Sequence, residues 1–589
     1  MQRMLLSLVT AVTALSHAAS LAAAQQPAGD SARLHQLFAT NWRYRMTSFP
    51  EFATAVGYPG QNARWTDNSL QAIERRNHEL QDPLAAIRAI DRAQLSPADR
   101  LSYDLFRRGI EEDIDATRFK DEYLAITQLG GVQQDVQLIL SLMPMSTVKD
   151  YEDLVARLNA LPTVIDQTRV LLGKGLEAGI TPPRVTLRDV PDQFKQLTPD
   201  DPLASPLLRA FTQFPPSMAA GERDRLRQAA VDAYTQRVTP AYRKLLDYFV
   251  GTYLPGTRQS VGMSALPNGA AWYAFKVRHF TTTSLTPEEI HTLGLREVTR
   301  IRAEMDSVIA STGFKGSFAD FAAFLRTDPQ FFYTDSASLV SAYRDVAKRI
   351  DPRLIELFGT LPRLPYGVTT IPSYQAKSQT GAYYVEGSPQ AGRPGWFYVN
   401  TFDLKARPKW AMEVLTSHEA VPGHHLQLAL AEELEGVPDF RRYGDYTAFV
   451  EGWGLYAEGL GGELGLYRDP YSKFGQLNYE MWRAIRLVLD TGIHAMGWTR
   501  QQAIDYFREN SAQADEEIVV EVDRYIVNPG QALAYKLGQL KFRELRAFAA
   551  AQLGARFNIR TFHDEVLRNG ALPLDVLDAH IREWVAAQK

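Results

Sequence analysis

The amino-acid sequence predicts a mainly α-helical protein of many helices with one small β-hairpin. Helix-start signals recur ahead of amphipathic runs along most of the chain. Strand-like sequence is confined mainly to Gly381–Val385 and Gly395–Asn400, two short runs separated by Gly, Pro and Ser. With no cysteine among 589 residues and 45% of them hydrophobic, stability is expected from an apolar core instead of disulfides.

Taken in order, the chain opens with Gln2-Arg3, an apolar run from Met4 to Val12, and Ala22-Ala23-Ala24 ahead of Gln25-Gln26. Residues 1–24 therefore read as a secretory signal peptide, and the mature protein as soluble and exported. The absence of cysteine excludes a lipid-modified cysteine at the cleavage site, and no later stretch offers ~20 uninterrupted apolar residues for a membrane span. Ser96-Pro97-Ala98-Asp99 opens a helix running to about Phe119, and Val148–Glu177 holds two more around Leu161-Pro162. Thr286-Pro287-Glu288-Glu289 is a capping box with proline at the first helical position, starting a helix that ends near Ser311-Thr312-Gly313. A boundary near residue 280 divides an N-terminal helical lobe (25–280) from a catalytic lobe (281–589). The net charge of -4 and the lack of a long single-sign run argue against nucleic acid as a partner. No internal repeat or low-complexity linker follows the stub at Gln25–Asp30.

The most informative residues are His418-Glu419-Ala420-Val421-Pro422-Gly423-His424-His425. In the common HExxH form, two histidines one helical turn apart face one zinc ion, and the Glu beside the first acts as base toward the water on the metal. Here the interval is six positions, about 600° of rotation and about 9 Å of rise in a regular helix, so an undistorted helix cannot aim both rings at one ion. Pro422 and Gly423 supply a distortion. His425 would point the same way as His418 but roughly 10 Å further along. His418 and His424 are the preferred ligands, with His425 the alternative to His424, and Glu419 is the candidate base. Four of the eleven histidines, His418, His424, His425 and His494, fall between positions 418 and 494.

Catalytic zinc keeps three protein ligands and an open position. Without cysteine the third must be His, Asp or Glu. Glu451 and Glu458 lie seven apart on one face of a probable helix, with Gly452 and Gly454 letting another backbone approach closely. Glu451 is the preferred ligand; Glu458 is a weaker candidate and could equally be a partner holding a histidine N–H, and the alternative for both is an ordinary amphipathic helix with its acids in solvent. Downstream, Arg486, Asp490 and His494 recur at intervals of four on a largely apolar helix, Asn478–Gly497. Asp490 would fix the tautomer of His494, leaving His494 to stabilise a tetrahedral intermediate; a solvated stripe with an i,i+4 pair is the alternative. After the turn Asn528-Pro529-Gly530 a further helix begins. Around that turn Tyr525 or Tyr535 would donate to an oxyanion, and Arg524 or Lys536 would bind a substrate carboxylate.

Five stretches in fixed order, GAYYVEGSPQAGRPGWFYVN, SHEAVPGHHLQ, FVEGWGLYAE, DTGIH and RYIVNPGQALAYKLG, resemble the domain of unknown function 885 family, bacterial proteins that look like helical zinc metallopeptidases. The resemblance runs from about Tyr374 to Gly538 and extends over most of the mature chain. It implies a large helical zincin-like fold with a deep cleft and the small hairpin beside the metal helix. A more distant similarity, to gluzincins such as angiotensin-converting enzyme and dipeptidyl peptidase III, aligns Gly423-His424 with a Gly-His pair. It implies His424 over His425, Glu419 as base and Glu451 as third ligand. In related zinc peptidases an edge strand lies along the substrate, so a peptide is expected to add to the hairpin, with Tyr384 and Asn400 as substrate-binding candidates.

The expected function is an exported zinc-dependent peptidase acting on short peptides, carboxypeptidase-like or an oligopeptidase, with Zn2+ as cofactor. The alternatives are a periplasmic binding or scaffold protein with a structural or absent metal, and a zinc esterase or amidase. The scissile bond and the oligomeric state are not legible in the sequence.

Overall fold

The computed structural model describes residues 29–376, 379–390 and 392–588; the signal-peptide reading of 1–24 lies outside the described residues. The protein is mainly helical, as the sequence predicts, and its sheet has three strands where the sequence predicts a two-stranded hairpin. Among the described residues no helix is long and apolar enough to cross a membrane.

In the N-terminal half, α1 (Pro97–Ala116) starts where Ser96 caps the Asp99 N–H, and stops short of the predicted Phe119. The region Val148–Glu177 is not two helices but one, α2 (Val148–Ala178), running through Pro162. A proline inside a helix costs about 3 kcal/mol. Burial of Leu154, Leu158 and Leu161 before it and Val164, Ile165 and Leu172 after it, all in one apolar cluster, outweighs that loss. The cluster draws on Ile126 to Tyr253, whereas a second unites Met263, Trp272 and Tyr273 with Leu487 and Leu533, so packing crosses position 280.

The C-terminal half begins with α3 (Pro287–Ser311), where Thr286 and Glu289 complete the predicted capping box. The sheet follows: β1 (Tyr366–Thr370), β2 (Ala382–Val385) and β3 (Gly395–Val399). The predicted hairpin is the antiparallel pair β2–β3, in register Ala382↔Val399 to Val385↔Trp396, and β1 adds in parallel on the other side of β3. Val368, Ala382, Phe397 and Val399 turn into the core, where they meet the helices of the site.

Those helices are α4 (Met412–Glu419), α5 (His424–Glu432), α6 (Thr447–Leu460), α7 (Pro470–His494), α8 (Asp515–Val527) and α9 (Leu533–Leu553). Two close approaches lock them together. On α3, a Cβ added at Gly294 would lie 2.8 Å from Leu487 and Val488 of α7. Between α6 and α9, a Cβ at Gly452 would lie 2.4 Å from the Gly538 Cα, and one at Gly538 only 1.9 Å from the Ala448 carbonyl oxygen. A buried ionic knot reinforces the bundle. Glu480 of α7 accepts from Lys536 (2.8 Å) and Arg543 (2.9 Å) of α9 and from Arg300 of α3 (2.6 Å). Burial alone would raise the Glu480 carboxyl, but the three cations hold it well below the ordinary range.

Because the α6–α9 contact is backbone against backbone, Gly538→Ala has no flexible neighbour to displace. It is expected to lower stability by about 1–3 kcal/mol or more, read as a fall in the thermal unfolding midpoint; an unchanged midpoint would contradict the contact.

Candidate metal centre

The His-Glu motif is not one kinked helix. α4 ends at Glu419, Ala420 (φ -99°, ψ -109°) and Gly423 (φ -78°, ψ -128°) leave helical conformation, and α5 restarts at His424. The chain folds back so tightly that a Cβ at Gly423 would lie 1.9 Å from the His418 carbonyl oxygen. Glycine is therefore required at 423 by lack of space. Trp453 of α6 donates from its indole to the Pro422 carbonyl (2.9 Å) and pins the linker.

This reversal brings the two imidazoles together, with centroids 4.7 Å apart and planes nearly perpendicular. Glu451 of α6 faces both. Its Oε2 is 3.5 Å from His418 Nε2 and 3.4 Å from His424 Nε2. The three ligand atoms lie within 4.8 Å of one another, and His418, His424 and Glu451 are the metal-capable group found among the described residues. His425 is not part of it: its Nδ1 pairs with the Tyr384 hydroxyl (2.9 Å), its ring packs on Tyr366, and burial pushes it down to about 4. Tyr384 thus stands beside the motif, engaged with His425.

The donor set fits a divalent ion. Ligand atoms about 2.0–2.1 Å from a tetrahedral ion are about 3.3 Å from one another, close to the 3.4 and 3.5 Å separations here, which are long for a hydrogen bond. Glu451 Oε2 is buried without a hydrogen-bond partner, although two nitrogens face it. Glu458 accepts from His418 Nδ1 at 2.8 Å, which fixes the tautomer and leaves Nε2 to the centre. The Tyr535 hydroxyl donates to the other Glu451 oxygen at 2.9 Å. Burial would lower the His418 imidazole and raise Glu451. Glu451, Glu458 and Glu419 outweigh it at His418, lifting it to about 9, and the two imidazoles hold Glu451 well below its ordinary value. A field that retains a proton on a buried imidazole also favours a cation. Gly454 provides the space, since a Cβ there would lie 2.8 Å from the His418 ring.

Glu419 is buried to 8% exposure, beside the cluster in sequence, and its carboxylate takes no hydrogen bond or ion pair. An acid so placed and unengaged can exchange a proton.

Several predicted residues are committed elsewhere. His494 accepts from the Met263 N–H at Nδ1 (3.0 Å) and donates from Nε2 to the Tyr525 carbonyl (2.9 Å), so neither nitrogen is left for an oxyanion. Asp490 does not orient it; that carboxylate accepts from Tyr273 (2.6 Å) and from the Gly530 N–H (3.0 Å). The Tyr525 hydroxyl accepts from Trp482 and Arg486 behind the site. Arg524 donates to the Tyr535 hydroxyl (2.9 Å) and to Gln531, so it supports Tyr535 and does not await a carboxylate. Lys536, fully buried, belongs to the Glu480 knot. Asn400, also fully buried, holds the backbone at Ala376, Gln379 and Thr380 with its amide and the Phe402 N–H with its oxygen, which removes it from substrate contact. Sequence reasoning missed Arg483, which lies 3.2 Å from Glu458, and three acids around the motif, Glu386, Glu432 and Asp445. Glu386 directly follows the strand sequence Ala382–Val385, and Asp445 stands six residues before Glu451; those positions were the available signal.

A family of bacterial proteins of unknown function (DUF885) matches residues 50–581. The chain belongs to this family. The crystal structure of a candidate lipoprotein from Colwellia psychrerythraea is similar to this DUF885 chain with 28% identity and a TM-score of 0.88, covering 95% of this chain and all of that one. The structure of a candidate lipoprotein of unknown function from Shewanella oneidensis shares the fold at 16% identity and a TM-score of 0.69, over 94% of this chain and 99% of that one. No curated protein matches the DUF885 chain.

Two outcomes follow from the reassigned residues. Burial holds the neutral His494 down to about 4, against 6.5 ordinarily, so the unfolded chain binds the extra proton first. Its stabilising contribution is whole above pH 6.5 and is lost as pH falls toward 4, by up to about 3 kcal/mol. The stability gap between wild type and His494→Asn, measured by urea unfolding at pH 7.5 and 4.5, should narrow at the lower pH; parallel curves would contradict a buried neutral ring. Lys536→Met should lower unfolding stability by about 3–5 kcal/mol, as for a buried ion pair broken on one side. An effect confined to substrate affinity would return Lys536 to the site.

Proposed function

We propose that the protein is an exported zinc-dependent hydrolase, a peptidase acting on short peptides, with His418, His424 and Glu451 as ligands and Glu419 as general base. The observation that carries this reading is the orphaned Glu451 Oε2, faced at 3.4 and 3.5 Å by two Nε2 atoms, with a carboxylate next to His418 that nothing else engages. Zinc in that position would supply Lewis-acid polarisation of a carbonyl and of attacking water. The residues of the chain do the rest. Glu419 takes a proton during attack and returns it to the leaving amine. Glu458 and Tyr535 keep His418 and Glu451 in place, and Arg524 holds Tyr535. The Gly-His pair after the His-Glu pair, with a glutamate from the following helix, is the basis for a gluzincin-like reading and for a cleft at the metal. Export is supported by the leader-like residues 1–24 and by the description of both similar structures as candidate lipoproteins.

Glu419→Gln should retain one zinc per chain by elemental analysis while turnover of a mixed short-peptide library, followed by mass spectrometry, falls about 10²–10⁴-fold. Unchanged turnover would remove Glu419 as base. Retention of zinc by His418→Ala would remove the ligand set.

A further inference from the structure

The two imidazoles of the metal group are not held alike. His424 Nδ1 is buried without a partner among the described residues. His418 has Glu458 behind it, whose Oε1 accepts from His418 Nδ1 at 2.8 Å. That oxygen has a second neighbour, since Arg483 Nη2 lies 3.2 Å away in an ion pair. Three helices therefore meet at one oxygen atom, α4 through His418, α6 through Glu458 and α7 through Arg483. The other oxygen, Oε2, is buried without a partner, so the orientation of the carboxylate depends on what holds Oε1.

Arg483 is itself fixed in place. It is 4% exposed, and its Nη1 donates to the Tyr479 carbonyl one turn back (3.3 Å). Its guanidinium lies 4.8 Å from the centre of the Tyr479 ring and 4.9 Å from that of Trp482. Trp482 is anchored in turn, donating from its indole to the Tyr525 hydroxyl of α8 (2.9 Å). A hydrogen bond from His418 alone would leave Glu458 free to swing about it, whereas a rigid second partner from another helix defines where the acceptor sits. Burial of the pair does not explain it, because apolar residues of similar volume replace a buried ion pair at little or no loss of stability. A histidine that needs an acceptor at one position does explain it.

We infer that Arg483 is a positioning residue of the metal centre. It holds Glu458 Oε1 where His418 Nδ1 meets it, and so keeps His418 Nε2 turned toward the position shared with His424 and Glu451. The inference rests on the zinc reading for the identity of the ion. Partners behind a ligating histidine set its tautomer and ring orientation, and their loss lowers metal affinity about 10–100-fold.

The test is zinc affinity of the full-length protein, by competition with a chromogenic chelator, for wild type, Arg483→Met, Arg483→Lys, Glu458→Gln and the Arg483→Met/Glu458→Gln double variant. Arg483→Met should bind zinc about tenfold or more weakly, with a changed visible spectrum when loaded with cobalt in place of zinc. Arg483→Lys keeps the pair charged, which guards against failure to fold. It loses the planar fork and should fall between Arg483→Met and wild type. In the Glu458→Gln background, Arg483→Met should cost about twofold or less, because the partner through which it acts has already been altered. Lower unfolding stability, with wild-type zinc affinity and a wild-type cobalt spectrum in every folded variant, would overturn the inference and leave Arg483 a support of the fold alone. An equal loss in both backgrounds would overturn it as well. Failure of the function reading looks different. A wild type that binds no zinc removes the metal centre and this inference together, whereas zinc binding without turnover of the peptide library removes the peptidase reading and keeps Arg483 in its role.

Discussion

The centre depends on the absence of side chains where three helices meet. Gly452 lets α6 touch the backbone of α9, Gly454 leaves room for the His418 ring, and Gly423 lets the linker fold against the last carbonyls of α4. Each contact is too close for a Cβ. Together they place Glu451 opposite two imidazoles that its own sequence neighbourhood does not contain. Because the three side chains of the metal-capable group sit on helices and not on loops, their separations are fixed by packed backbone, the condition under which a constellation holds its geometry. Burying so many ionisable groups is unfavourable by itself. Partnership offsets it, with Glu458 on His418 and Arg483 near Glu458.

Behind the candidate ligands the polar groups form a chain of supports. Tyr535 donates to Glu451, Arg524 donates to Tyr535, and Glu521 lies against Arg524 and Arg486. The Arg486 guanidinium sits 4.3 Å from the centre of the Tyr535 ring and carries the Tyr525 hydroxyl on its other side. Such a network orients groups only if its members are satisfied, and nearly all of it comes from α8 and α9 with α7 behind. The turn at Asn528-Pro529-Gly530 is therefore structural: it sets the angle between α8 and α9, and its Gly530 N–H is anchored on Asp490.

Much of this was legible in the sequence, and the division between what was and was not follows from range. His418, Glu419, His424 and Glu451 stand out because metal ligands are a restricted residue set at constrained spacing, and the helical character, the capping box at Thr286 and the β2–β3 pair are local properties. The break between α4 and α5 was half legible: Pro422 and Gly423 announce irregularity, but only the carbonyls of α4 show that the chain reverses. The strand Tyr366–Thr370 was missed because its pairing partner lies about 30 residues on and no turn joins them. His494, Asn400 and Lys536 misled for one reason. Each has the chemistry of a site residue, but its hydrogen bonds are filled by groups remote in sequence, Met263 for His494, Ala376 for Asn400 and Glu480 for Lys536. A sequence shows what a side chain could bind, not whether that capacity is already used.

That distinction separates scaffold from site here more sharply than residue type does. The buried cations Lys536, Arg486 and Arg524 are all paired, and their pairing explains their burial. Glu419, buried beside the cluster, has no such account. An unengaged carboxylate within protein costs stability, and such costs persist where the group serves something outside the fold. Beside a metal-capable cluster it is difficult to attribute to packing, because it could be replaced by a neutral isostere without leaving any partner unsatisfied. The fold would be as well served by an amide at this position, so the charge itself is what needs explaining, and the cation that the neighbouring group can hold explains it with the fewest assumptions.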